Sequence, residues 1–138
     1  MNIHFFEEDV QLPKKFNTRA SLNIIAKIIA HESKKKIDYI NIIFCTDDYL
    51  LSINTEYLQH DYYTDIITFD YSETEITSDM YISLDRIIEN AKKNSVTLHN
   101  ELQRVIIHGT LHLVGYQDKT QAEKEEMQRK ENEYLQLI

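Results

Sequence analysis

Two histidines and an aspartate fall within one eleven-residue segment, His108-Gly-Thr-Leu-His112-Leu-Val-Gly115-Tyr-Gln-Asp118. Their types and spacing suit a transition-metal site. Histidines four residues apart on a helix differ by about 40° around the axis and lie ~6 Å apart, so both imidazoles reach one ion. Asp118, ten residues after His108, would point about 80° away on a continuous helix, a turn and a half beyond His112. Gly115 removes that obstacle, because helices commonly end at a left-handed glycine that turns the chain back. The expected ligand set is therefore His108, His112 and Asp118. Three protein ligands leave a fourth position open, which marks a catalytic site. One zinc ion per chain is expected, and other divalent transition metals are chemically admissible.

The spacing is that of the metzincin ligands, with aspartate in the third place. Metzincins carry a glutamate general base directly after the first histidine. Here that position is Gly109, which has no side chain. The chain has only two glycines, Gly109 and Gly115. A glycine inside a helix costs about 1 kcal/mol relative to alanine, so Gly109 is expected to face a close neighbour, either another chain element or a substrate.

These residues need elements to hold them. Ile3, Phe5 and Phe6 indicate a short first strand, and Pro13 precedes a helical pattern from Lys14 to Lys36. Tyr39 to Thr46 reads as a buried strand, with Asp47 capping a helix to Leu58. Ile66 to Tyr71 and Met80 to Leu84 have strand composition and suggest a hairpin. Asp85 opens a helix to Asn94. Thr97 caps the helix, running to Val114, that carries both histidines. Thr120 and Glu123 form a capping box for a last helix through Leu137. The expected fold is α/β (α+β): a single domain over residues 1–138, with a small mixed sheet of about four strands and about five helices.

Composition sets outer limits. At 138 residues and 42% hydrophobic content the chain suits one soluble globular domain. It contains no run near the ~20 apolar residues of a membrane span and no signal-peptide pattern, so no membrane partner and a cytoplasmic location are expected. The single cysteine, Cys45, ends an apolar run and reads as a buried, inert thiol. A net charge of −8 argues against bulk attraction to a polyanion. Local basic clusters stand at Lys14-Lys15-Arg19, Lys34-Lys35-Lys36 and Lys92-Lys93.

The segment from His108 to Asp118 resembles the YbeY family of bacterial endoribonucleases, the rRNA maturation factors, whose signature is H-G-x-L-H-L-x-G-Y-D-H. His108, Gly109, Leu111, His112, Leu113, Gly115 and Tyr116 match it, and Gln117-Asp118 replaces the final Asp-His. Upstream, the stretch from Ile53 to Phe69 is similar to the family pattern L-N-x-x-Y-R-G-x-D-x-P-T-D-V-L-S-F, and Ser78-Asp79-Met80 to its Gly-Asp-Ile. The resemblance covers roughly Leu51 to the C-terminus, with the first third similar in layout. It implies a single-strand-specific, metal-dependent endoribonuclease acting in rRNA processing, in 16S rRNA 3′-end maturation and in ribosome quality control, with rRNA and the ribosome as partners. It aligns Asp65 and Asp79 with family aspartates.

Three departures alter details. Asp118 replaces a third histidine, which lowers the charge of the site by one and should make a metal-bound water less acidic. Leu58 stands where the family has an arginine thought to contact phosphate, so a bidentate donor is lost. Arg104, one turn before His108, is a substitute candidate, or else pairs with Glu101 on the helix surface. Tyr63 replaces a proline. Other readings are a metallopeptidase or other metallohydrolase, disfavoured by Gly109, and a ribosome-associated factor with a structural metal. An iron oxygenase ranks last, since its two histidines and carboxylate usually sit on a β-scaffold.

Overall fold

The fold is organised around one long helix, which the sequence pattern buries on most sides. The computed structural model describes residues 2–138. The elements in order are β1 (Ile3–Glu7), α1 (Thr18–Glu32), β2 (Ile37–Cys45), α2 (Asp47–Leu58), β3 (Ile66–Asp70), β4 (Ile76–Ser83), α3 (Leu84–Lys93), α4 (Leu98–Leu113) and α5 (Gln121–Leu135). The four strands form one sheet in the order β1-β2-β4-β3. β1 and β4 run parallel to β2, and β3 closes the edge as the antiparallel partner of β4. The β3–β4 hairpin is thus present, and the sheet is mixed.

Helix α4 packs against α1, α3 and α5 and also touches β3 and β4. Leu102 and Ile106 on α4 are fully buried with Ile40, Ile42 and Phe44 of β2 and Ile82 of β4. A second apolar group, Ile24 and Ile28 of α1, Ile107 and Leu111 of α4, and Met127 and Tyr134 of α5, fastens α5 to the back of α4. Burying side chains of this size contributes about 1.5–3 kcal/mol each, enough to dock a helix whose other faces are strongly polar.

Three helix starts differ from expectation, each because a different side chain caps the backbone, and the strands β2 and β4 begin earlier, at Ile37 and Ile76. α1 runs from Thr18 to Glu32, shorter than Lys14–Lys36. Asn17 accepts from the Ala20 amide at 3.0 Å, and the chain leaves the helix at Ser33 in extended conformation. α2 is capped by Thr46, whose Oγ1 accepts from the Tyr49 amide at 3.2 Å. Asp47 instead binds Arg86 Nε at 3.0 Å and accepts from Ser83 Oγ at 2.7 Å. α3 is capped by Ser83, the last residue of β4, so the strand runs into the helix without a loop. Cys45 is fully buried, and burial, with the carboxylates of Asp9, Glu8, Asp85 and Asp47 around it, pushes its thiol up to about 12. It is inert, as expected. No helix among the described residues is long and apolar enough to cross a membrane.

At Gly109, α4 packs tightly against the sheet. A Cβ there would lie 2.8 Å from Ile66 Cδ1, 2.9 Å from Met80 Sδ and 3.2 Å from Thr68 Oγ1. The close neighbour is therefore the hairpin's inner face. Gly109→Val should destabilise the fold by about 1–3 kcal/mol through overpacking. A denaturation midpoint equal to that of the native chain would show that these side chains repack freely.

Candidate metal centre

Helix geometry, a glycine turn and a docked carboxylate together build the site. His108 and His112 lie one turn apart near the end of α4, with their ring planes at 83° and centroids 4.6 Å apart. The helix ends as expected: Gly115 takes φ +106, its amide bonds His112 O at 3.1 Å, and the Tyr116 amide bonds Leu111 O at 3.1 Å. A Cβ at Gly115 would meet nothing within 4 Å, so the glycine is needed for its backbone conformation and not for room. The turn is pinned by Glu32 of α1, which accepts from Tyr116 Oη at 2.7 Å and Tyr134 Oη at 2.6 Å.

The turn brings Asp118 back. Its Oδ2 lies 3.2 Å from His108 Nε2 and 3.3 Å from His112 Nε2, and the two Nε2 atoms are 3.0 Å apart. Two ligands ~2.0–2.1 Å from a tetrahedral ion are about 3.3 Å apart, close to all three edges. The hydrogen bonds decide what these atoms are. His112 Nδ1 lies 2.9 Å from Tyr116 O, which only accepts, so Nδ1 carries the hydrogen and Nε2 presents a lone pair. His108 Nδ1 lies 2.7 Å from Glu131 Oε2, with the same consequence. With both rings neutral and so held, two Nε2 lone pairs and a carboxylate oxygen face one another, a triangle that a metal cation, or a proton on His108, can bridge. The donor set fits a divalent transition metal, and the group could hold one.

The electrostatics agree. Burial disfavours charge on His108, but the hydrogen bond to Glu131 and the charges of Glu131, Asp118 and Asp65 hold its imidazole above the ordinary value. A field that retains a proton there also attracts a metal cation.

Glu131 escapes sequence reasoning. It comes from α5, is 8% exposed, and also receives Arg104 Nη1 on Oε1 at 3.1 Å. Its signal was its place on the buried stripe Met127–Glu131–Tyr134, where a carboxylate needs a partner. Arg104 pairs with Glu131 and with Asn132 Oδ1 at 2.8 Å, not with Glu101.

The His108–His112–Asp118 group opens onto a cleft of about 400 Å³, lined also by Asn54, Leu58, His60, Tyr62, Asp65 and Thr68. Leu58, at the family's arginine position, is in the cleft wall. Asp65 is there too, and burial raises its carboxyl above the usual range against the pull of His108 and nearby backbone amides. Asp79 is not in this wall. It follows the opposite face of β4 from Met80 and accepts from Asn41 Nδ2 at 3.0 Å.

Comparison with known proteins agrees with this architecture. The family model described as Endoribonuclease YbeY matches residues 2–138. An Endoribonuclease YbeY of Cytophaga hutchinsonii is 50% identical, with 98% of this chain and 94% of that protein covered. One of Parabacteroides distasonis is 45% identical, with 100% and 96% covered. Among solved structures, the solution structure of a Thermotoga maritima protein superposes with a TM-score of 0.65 at 26% identity, over 97% of this chain and 87% of that one. In sequence along its whole described length and in fold, this chain belongs to the Endoribonuclease YbeY family.

Proposed function

We propose that this chain is a metal-dependent endoribonuclease that processes ribosomal RNA, with one zinc ion held by His108, His112 and Asp118. The observation that carries the reading is the triangle of two imidazole lone pairs and a carboxylate at the head of an open cleft. When bound, the ion supplies a Lewis acid for a phosphoryl oxygen and an activated water. The chain's own residues do the rest. Tyr116 O and Glu131 fix the two imidazoles. Asp118 reduces the positive charge of the centre, and Asp65 is a carboxylate in the cleft wall. The family resemblance in the motif supports extending the role to 16S rRNA 3′-end maturation, ribosome quality control and association with the ribosome, in the cytoplasm.

A peptidase mechanism is disfavoured by packing. The position that carries the metzincin glutamate is pressed against Ile66, Met80 and Thr68, with no room for a base.

Zinc-loaded protein should cleave single-stranded rRNA fragments. A chelator should stop cleavage and added zinc should restore it. Less than about half an equivalent of metal in protein purified without chelator, or intact RNA with the loaded protein, overturns the reading.

A further inference from the structure

The cleft beside the metal ligands is unusual for a site that handles a polyanion. Among the described residues, no lysine or arginine lines it, while Arg104 and Lys124 line a separate cavity that shares His108 and Asp118. The wall built by the end of α2 and the loop after it is instead Leu58, His60 and Tyr62. All three are exposed, Tyr62 to 56%. The His60 and Tyr62 rings are stacked, with centroids 5.2 Å apart and planes at 20°, and Tyr62 Oη bonds His60 Nδ1 at 3.0 Å.

The loop backbone that carries these rings is held by its own hydrogen bonds. α2 ends at Gln59 in the left-handed conformation, with φ 57 and ψ 31. The amides of Gln59 and His60 both bond Asn54 O. Asn54, 2% exposed, donates its Nδ2 to Tyr62 O at 3.0 Å, and Thr55 Oγ1 bonds His60 O at 3.4 Å. All these anchors grip backbone or Asn54. Beyond the stack and the Oη–Nδ1 bond to His60, the Tyr62 side chain takes no part in these anchors. An ordered aromatic pair, left in solvent beside a reaction centre, has the form of a stacking platform.

We propose that the Tyr62–His60 pair is a nucleobase subsite, taking an unpaired base next to the phosphate that is cut. The inference rests on the nuclease reading above and names how the substrate is gripped. Stacking on an aromatic ring needs an unstacked base, which single strands present and duplexes do not. It tolerates any base, since each has a π-face. It also supplies a hold in the cleft that has no cation of its own, Arg104 and Lys124 lying in the adjoining cavity.

The test is binding of a short, labelled single-stranded deoxyoligonucleotide to the zinc-loaded protein by fluorescence anisotropy. Its bases stack equally well, and an endoribonuclease leaves it uncut. Tyr62→Ala should weaken binding between about fivefold and a hundredfold, and Tyr62→Phe, which keeps the ring, should restore it. On the unaltered protein, an oligonucleotide with abasic sites in place of the central bases should lose the same factor. Combined with Tyr62→Ala, the abasic probe should lose little more, the mark of a direct contact. Equal affinity of Tyr62→Ala and the native protein, full additivity of the two losses, or no binding by the native protein overturns the subsite. Tyr62-dependent binding together with intact RNA would instead remove the nuclease reading and leave the subsite standing.

Discussion

His112→Ala is expected to remove bound metal and RNA cleavage together, lowering activity by at least about a hundredfold, while leaving the fold nearly as stable as before. The two expectations separate because His112 does two different jobs. Its Nε2 forms two edges of the ligand triangle, at 3.0 Å to His108 and 3.3 Å to Asp118. Without it, one imidazole and one carboxylate remain, too few to hold a transition ion against water. Its structural role is smaller. The side chain is a quarter exposed, and the bond from Nδ1 to Tyr116 O contributes about 1 kcal/mol. The turn that carries Asp118 keeps its hold through Tyr116 Oη on Glu32. Metal content by mass spectrometry, cleavage of an rRNA fragment and thermal unfolding of the same preparation give the three readouts. A variant that keeps its full equivalent of metal is incompatible with the proposed ligand set, whatever its activity.

What could be read from sequence follows the range of the forces involved. The two histidines and the glycine turn are local features, governed by helix pitch and by the one backbone region that glycine enters freely. They bring Asp118 back toward both imidazoles, and the bond from Tyr116 Oη to Glu32 then pins the turn. Helix limits are less legible where several residues can cap. Asn17 and Thr46 compete with their neighbours for the same amides, and the outcome depends on contacts such as Asp9 on Thr46 Oγ1 at 2.6 Å. The placement of β4 between β2 and β3 is set by packing across the sheet and has no local signature. Glu131 shows the same limit within the site. It lies twenty-three positions from His108 in sequence and meets it only because Met127 and Tyr134 seat α5 against α4. The partner of Gly109 was likewise open until the hairpin was placed beneath it.

Glu131→Gln provides the sharpest test of how the centre is tuned, because it changes a proton's position with almost no change of shape. In the native chain Glu131 accepts on both oxygens, from Arg104 Nη1 at 3.1 Å and from His108 Nδ1 at 2.7 Å. A glutamine has one oxygen and one amide nitrogen. Arg104 can only donate, so it claims the oxygen. The amide nitrogen is then turned toward His108 and needs an acceptor there. His108 can satisfy it only by giving up the hydrogen on Nδ1, which moves the proton to Nε2, the atom that faces His112 and Asp118. The imidazole would present a hydrogen where the ion needs a lone pair. Loss of the negative charge adds to the effect, since Glu131 is among the groups that favour positive charge at His108. Metal affinity should fall by about 10–100-fold, the range found when the outer partner of a ligating histidine is removed. Packing of α5 should persist, because volume is conserved and Met127 and Tyr134 remain in place. Competition with a chelator of known zinc affinity measures this without recourse to cleavage. An unchanged affinity would mean that His108 sets its own tautomer, and that α5 contributes only packing to the metal centre.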